Sequence, residues 1–373
     1  CLKIGKSMNV ITKSIDIDGK TLQFETGKIA KQAGGSTVVR MGDTMVLVTA
    51  TGEESERGVD FLPLTVDYRE NTYAGGRIPG GFFKREGRPT EREILTCRVI
   101  DRGLRPLFPD GYHRETQVIA WVVSADDDFC PDVYGISGAS LALLLAKNIP
   151  FEEALAGVRV GRVDGKLVVF PTYEETEKSD LDLVVAGTAD ALAMVECGAN
   201  ELPEDVILDA LDLAHNEIKR IIELQHQIVA EAGVVKTTFE AAGSPWPEDF
   251  ADQIHSRWTD ELREALHVRG KFEQRDAVKA VREKAIAELA EDVADEQTPW
   301  VKSIFGSMVK AITRETILAE RQRLDGRAFD QIRPVTCEVG VLPRAHGSAL
   351  FTRGETQALV TCTLGTSDDT QLI

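Results

Sequence analysis

Apolar and polar positions alternate through much of residues 15–70, a period of two that predicts strands. Ile15-Asp16-Ile17-Asp18-Gly19-Lys20 joins that alternation to a turn pair, so a hairpin is expected there. Val38-Val39 and Met45–Ala50 are short β-branched runs suited to core strands. After Arg88-Pro89-Thr90 the period lengthens and predicts a helix from Glu91 to Arg105, with Pro89 near its start and Pro106 ending it. Its expected apolar face is Ile94, Cys97, Ile100 and Leu104, widened by Leu95 and Val99. Gln117–Ser124 reads as a strand and Asp132–Lys147 as a second helix, whose Gly135, Ser137, Gly138, Ala139 and Ser140 permit close backbone approach. Further strands are expected at 157–163 and 166–170, turned at Asp164-Gly165, and at 181–187 and 191–197. A long amphipathic helix follows over 203–231.

Turn formers at 232–247 mark a boundary, and residues 248–322 are helical in composition throughout. Past the turn Leu324-Asp325-Gly326-Arg327 the strand pattern returns, and it repeats an earlier one. Residues 36–52 and 348–364 align without gaps, sharing Ser36/Ser348, Gly42/Gly354, Thr44/Thr356, Leu47/Leu359, Val48/Val360, Thr49/Thr361 and Thr51/Thr363. With one residue inserted, Glu25-x-Gly27 also answers Glu338-x-Gly340. The separation far exceeds a solenoid period, so a duplicated domain is expected, its second copy only begun by Ile373.

At 373 residues and 43% hydrophobic, the chain has ample material for packed cores. A net charge of −18 argues against a generally basic surface but not against a local one. Much of the acid lies between about 174 and 296, including Glu174, Glu175, Glu177, Asp180, Asp182, Glu291, Asp292, Asp295 and Glu296. Six cysteines are scattered without CxxC or zinc spacing. Cys97 and Cys362 sit among apolar residues, so buried free thiols and a cytoplasmic location are expected. No run reaches the length of a membrane span, and Met8 is a candidate natural start after an unrelated leader.

The densest basic segment is GGFFKREGRPTEREILTCRVIDRGLRPLFPDGY, residues 80–112. Phe82-Phe83-Lys84-Arg85 follows the glycine-rich loop 75–81. Aromatics beside cations on a loop can stack bases while neutralising phosphates; equally, the two rings could fold inward as a local anchor. Arg98, Arg102 and Arg105 recur at helical spacing on one face, suited to gripping phosphates or to pairing with Asp101 or Glu91. Arg77, Lys84, Arg85, Arg88 and Arg92 precede them, and that concentration in an acidic chain favours a polyanion contact. Ser124-Ala125-Asp126-Asp127-Asp128 could bind a divalent metal or be a solvated turn. Thr352-Arg353-Gly354-Glu355-Thr356 places an arginine at a strand entrance, suited to phosphate without being specific for it.

These segments, with LDGRAFDQIRP and PRAHGSALFTRGETQALVTCTLGT, resemble bacterial polynucleotide phosphorylase from about Met8 to the end of the chain. The resemblance implies an α+β fold: a first RNase PH-like core at 8–235, an all-helical domain at 236–323, and the start of a second RNase PH-like core at 324–373. It implies a phosphorolytic 3′-to-5′ exoribonuclease acting on single-stranded RNA in mRNA turnover. The implied co-substrate is inorganic phosphate, the cofactor Mg2+ or Mn2+, and the assembly a homotrimeric ring, with RNA degradosome components as candidate partners. Phe82, Phe83, Lys84 and Arg85 match the RNA-gripping loop, with lysine where the family usually has a second arginine, so a bidentate fork is lost there. Arg98, Arg102 and Arg105 match the first core's side of the catalytic cleft as supporting catalytic residues. The family's phosphate-binding serines, metal-binding aspartates and catalytic lysine would lie beyond Ile373, as would its KH and OB-fold modules. Ser124–Pro131 stands where the first core would carry a paired-serine phosphate site. Residues 1–373 alone are therefore expected to be inactive; a non-catalytic RNA-binding or assembly scaffold is the competing reading.

Overall fold

The opening alternation becomes a hairpin: β1 (Ile11–Ile17) pairs antiparallel with β2 (Lys20–Thr26). The turn residues Asp18 and Gly19 both take positive φ, 53° and 73°, as a two-residue hairpin turn requires. β3 (Gly35–Met41), β4 (Thr44–Glu56), β5 (Leu64–Glu70) and β6 (Arg114–Ser124) complete a six-stranded sheet in the order β1-β2-β3-β4-β6-β5. Its pairs are antiparallel except for β5 with β6. A four-stranded antiparallel sheet, β10-β9-β7-β8, is built from β7 (Ala156–Val163), β8 (Lys166–Val169), β9 (Leu181–Gly187) and β10 (Leu192–Ala199). These facts come from a computed structural model that describes residues 9–56, 59, 61–80, 82–240, 246–289 and 298–369. Cys1, Met8, Gly81, residues 241–245 of the expected boundary and the acids Glu291, Asp292, Asp295 and Glu296 lie outside the described residues.

Helix α1 (Glu91–Leu104) packs on β5, and α2 (Asp132–Leu145) packs on β3, β4 and β7. Thirteen of the fourteen α2 residues are buried, as befits a helix apolar on every side. Its small residues do what their size suggests. A Cβ on Gly138 would stand 2.6 Å from Val48 Cγ2 and 3.0 Å from Val39 Cγ2, and one on Gly135 would meet Ile100 Cδ1 at 2.9 Å. Ser137 accepts from Gly157 N at 3.0 Å, while Ser140 accepts from Leu155 N at 2.8 Å and donates to Gln225 at 2.9 Å. Short α3 (Tyr173–Lys178) touches β7, and α4 (Glu204–Ala232) covers β7, β9 and β1.

After Gly233 the chain still belongs to this first unit. Lys236 Nζ donates to the carbonyls of Leu143, Ala146 and Ile149 at 2.6, 2.7 and 3.0 Å. Those carbonyls lie in the last turn of α2 and in the segment just after it, where a cation is favourable. Burial nevertheless pushes the Lys236 ammonium down to about 8. Phe239 meets Tyr112 edge-on at 5.3 Å. The division into units falls between Ala242 and Gly243.

The second unit contains α5 (Glu248–Leu266), α6 (Lys271–Leu289) and α7 (Thr298–Glu320), sharing a core around Trp258, Leu262, Ala285, Phe305 and Met308. It also holds a three-stranded sheet of β11 (Val335–Val339), β12 (Gly347–Arg353) and β13 (Thr356–Cys362). The duplication is visible in its register. β3 and β4 pair from Gly35↔Ala50 to Met41↔Thr44; β12 and β13 pair from Gly347↔Cys362 to Arg353↔Thr356, position for position. Glu25↔Val38 is answered by Glu338↔Leu350, confirming the single inserted residue.

Burial does not follow the register. Ala50 is fully buried, yet its counterpart Cys362 is exposed, against the expectation of a buried thiol. The reason is that the first sheet is closed by α2, whereas the described residues after β13 include only a one-turn helix at Ser367–Asp369. Cys97 fits its expectation better: it is half-buried, and its Sγ accepts from Tyr68 N at 3.1 Å.

The close approach of α2 to β3 yields a stability test. A Cβ on Gly35 would lie 2.0 Å from the Ala142 carbonyl oxygen, a backbone obstacle that cannot rotate away. Gly35→Ala is expected to destabilise the protein by about 3 kcal/mol in chemical denaturation. Gly198→Ala, with no atom near its Cβ, should change stability by less than about 0.5 kcal/mol; equal effects would contradict this packing.

Candidate nucleic-acid interface

Thr90 and Glu93 start α1 as a reciprocal cap: Thr90 Oγ1 accepts from Glu93 N at 3.2 Å, and Glu93 Oε2 accepts from Thr90 N at 2.6 Å. Glu93 Oε1 also accepts from Glu70 N at 2.9 Å and faces Arg69 Nε at 3.5 Å. Backbone demand therefore draws an acid inside. The buried stripe of α1 is Glu93, Thr96, Ile100, Gly103 and Leu104, while Ile94 and Leu95, expected inside, are 49% and 56% exposed. Burial pushes the Glu93 carboxyl up, but the Thr90 and Glu70 N–H groups and Arg69 outweigh it and hold it below its ordinary value.

Between β5 and α1 the chain makes a one-turn helix, Thr72–Gly75, and then an exposed loop through Arg88. The inward-anchor alternative for the phenylalanines fails. Phe82 is 93% exposed and Phe83 80%, their rings edge-on at 5.4 Å. Lys84 adopts φ 51°, a left-handed conformation unusual for a lysine, at the turn of the loop. Among the described residues, Arg77, Lys84, Arg85 and Arg88 make no ion pair. Arg92 departs from this group: its Nη2 reaches Cys130 Sγ at 2.8 Å and its Nε lies 3.7 Å from Glu70.

Arg98, Arg102 and Arg105 line one groove of about 550 Å³ with Val66, Leu95 and Glu196. Their states differ. Arg102 Nη2 meets Glu196 Oε1 at 2.7 Å. Arg105 grips Asp101 with two bonds of 2.6 Å and donates to the carbonyls of Leu62 and Leu64 at 3.0 and 3.2 Å. The Asp101 bonds raise its pKa further. Arg98 has no ion pair or side-chain hydrogen bond among the described residues. Only one arginine of the stripe thus offers an uncommitted guanidinium.

The adjoining cavity of about 400 Å³ shares Leu95 and Glu196 and adds Arg92, Asp132 and Arg159. Arg159 bonds Asp182 at 2.8 Å and Asp132 at 3.2 Å. Burial pushes the Cys130 thiol beside it up to about 11, so it stays protonated at neutral pH. Sequence reasoning passed over Asp132, Arg159 and Glu196; an arginine inside the apolar run Ala156–Val163 was the available signal.

At Ser124–Asp128 the Asp126 carboxylate is tied into its own turn. Asp126 accepts from Asp43 N at 2.8 Å, Asp128 N at 3.1 Å, Phe129 N at 3.0 Å and Thr44 Oγ1 at 2.9 Å. The carboxylate thereby staples a turn. Among the described residues no group of three or more His, Cys, Asp or Glu side chains could hold a metal ion. None of the described helices is long and apolar enough to cross a membrane.

Two outcomes follow for variants of this region. Arg105→Ala removes four hydrogen bonds and should cost roughly 1–3 kcal/mol of stability. Arg98→Ala should leave the melting temperature near that of the parent; the reverse ranking would contradict the geometry. Glu93 gives a pH signature. Its folded pKa lies below the ordinary 4.5, so its contribution is present above that pH and lost as pH falls through the folded value. The stability gap between parent and Glu93→Gln should therefore close on acidification below about pH 4; a gap constant from neutrality to pH 3 would refute the carboxylate's role.

Comparison with known proteins places these features. Residues 18–148 and 331–372 match the 3′ exoribonuclease family, domain 1, and residues 154–217 match domain 2 of the same family. Both copies of the repeated hairpin fall within the first match. Residues 249–328 match the polyribonucleotide nucleotidyltransferase RNA binding domain. The polyribonucleotide nucleotidyltransferase of Heliobacterium modesticaldum is 50% identical over 361 residues, covering 96% of this chain and 50% of that protein. Those of Bacillus licheniformis and Bacillus subtilis are 49% and 46% identical, covering 96% and 99% of this chain but 51% and 52% of theirs. The chain spans about half the length of the curated relatives it matches. With both 3′ exoribonuclease domains and the RNA binding domain matched in order, this chain belongs to the polyribonucleotide nucleotidyltransferase family.

Proposed function

We propose that the protein carrying this chain degrades single-stranded RNA from its 3′ end by phosphorolysis, with the Phe82–Arg85 loop holding the strand. One observation carries the loop's part: two phenyl rings stand almost wholly in solvent beside cations that no described carboxylate neutralises. Leaving such rings exposed forgoes their burial energy, and stacked bases restore it, each contributing roughly 1–3 kcal/mol. Family membership supports the reaction class.

In the proposed reaction an oxygen of inorganic phosphate attacks the phosphorus of the terminal phosphodiester. The bond from that phosphorus to the 3′ oxygen of the preceding nucleotide breaks, and a phosphoanhydride forms. The products are a nucleoside diphosphate and an RNA one residue shorter, whose 3′ oxygen ends protonated. Two anions must meet, so charge has to be dispersed by fixed cations. Arg98 is the residue of the groove best placed for that work, because its guanidinium is uncommitted. Arg102 and Arg105 shape the wall through Glu196 and Asp101. A divalent metal would supply further charge neutralisation.

The reading extends to mRNA turnover in the cytoplasm by a homotrimer. The competing scaffold reading treats residues 1–373 as binding RNA without chemistry. Release of ADP from poly(A) with phosphate and magnesium separates them: the full-length protein should release ADP, and residues 1–373 alone should not. In the full-length protein, Phe82→Ala with Phe83→Ala should weaken poly(A) binding by about 10- to 1,000-fold, one to two stacks lost. Parental affinity in that double variant would discard the loop's role.

A further inference from the structure

The exposed loop has a closed base. Glu86 lies where the loop returns, in the midst of the basic segment, yet among the described residues it makes no ion pair. Its Oε1 accepts from Thr72 N and its Oε2 accepts from Thr72 Oγ1, both at 2.8 Å, across fourteen positions of chain. Beside it Arg69 Nη2 donates to the Gly87 carbonyl at 2.9 Å. Thr72 O in turn accepts from Arg77 N at 3.2 Å, and Ala74 O accepts from Ala125 N at 3.0 Å, tying the outgoing limb to the end of β6. Both limbs are thus bolted to the sheet, while residues 82–85 between them, the two phenyl rings included, are exposed. A surface loop with its ends held together in this way is the Ω type, in which closure at the neck limits where the tip can go.

We propose that Glu86 is a positioning residue: its carboxylate clamps the neck of the loop and so holds Phe82 and Phe83 where a strand can stack on them. The inference rests on the loop's proposed role in gripping RNA. Glu86 does not meet the strand itself. Its effect passes through the fraction of molecules whose loop is correctly set, because apparent affinity falls in proportion to that fraction. A clamp made of two bonds to a single residue is also a device that a one-atom change weakens: an amide at position 86 keeps one strong acceptor and turns the other oxygen into a donor.

The test uses the full-length protein and poly(A) as the probe. Glu86→Ala should raise the Kd for poly(A) about tenfold if the competent fraction drops to about one in ten. Glu86→Gln, which keeps the shape and guards against misfolding of the alanine variant, should fall between. The KM for inorganic phosphate and the melting temperature should stay at parental values, and trypsin should cut at Arg85 faster in the variants. Introduced into the Phe82→Ala/Phe83→Ala background, Glu86→Ala should add nothing further. An equal loss in both backgrounds would overturn the clamp, since the effect would then not run through the rings. So would parental poly(A) affinity for both Glu86 variants while the double phenylalanine variant binds weakly. If the double phenylalanine variant itself binds as the parent does, the proposed role of the loop has failed and the clamp falls with it.

Discussion

Helix α2 lies within the first unit with no solvent face, and that single constraint organises the unit around it. A helix so placed must be small where neighbouring backbones pass, and Gly138 against Val39 and Val48 meets that demand. Its C-terminal end favours a cation, and Lys236 brings an ammonium back from beyond α4 to bond the carbonyls of Leu143, Ala146 and Ile149 at once. Its interior hydroxyls, Ser137 and Ser140, are consumed by the Gly157 and Leu155 amides, tying the helix to the strand β7 and its approach. Once α2 is fixed, β7 and β10 stand at a set distance from α1. The groove of Arg98, Arg102 and Arg105 is the space left over.

Much of this was legible in the chain, and the exceptions have physical causes. Strand and helix periods located β7, β8, β9, β10 and α4 to within a few residues. The small residues of α2 announced close packing, and the repeated hairpin announced its own register. Of the expected α1 face Ile100 and Leu104 are buried, and Cys97 and Val99 pack on the core; Ile94 and Leu95 turn outward because Glu93 serves three groups on β5 and the cap, which a hydrophobic count cannot see. Cys362 was misread for a related reason: burial belongs to whatever covers a strand, and local sequence does not encode the cover. The arginine stripe was located, but its division into committed and uncommitted members needed Glu196, which lies on β10 and far along the chain.

The two copies of the hairpin show how far local sequence alone determines structure. Identical registers form in both, so strand pairing is set by the turn and by the alternation itself. Packing is not. Val48 is buried against α2, while its counterpart Val360 stands exposed in a sheet of three strands. Pairing energy shapes the ribbon, and only a covering layer turns it into a core.

The electrostatics of the groove bear on how an acidic molecule could handle a polyanion at all. Exposed charges act over roughly 10 Å at moderate salt, so the acids of α3 and β9 need not cancel cations held on a separate loop. What matters is which cations are spent. Arg102, Arg105 and Arg159 each already face a carboxylate, which fixes their positions and removes much of their long-range pull. Arg77, Lys84, Arg85 and Arg88 retain theirs. On the proposed reading, attraction and orientation are therefore divided between two structures: the loop draws and stacks the strand, and in the groove Arg98 meets the phosphate within a wall that the braced arginines hold in place. A groove of unpaired arginines would bind phosphate more strongly but at many positions, and a reaction that must align an attacking and a leaving oxygen gains more from one fixed position than from strong binding at many.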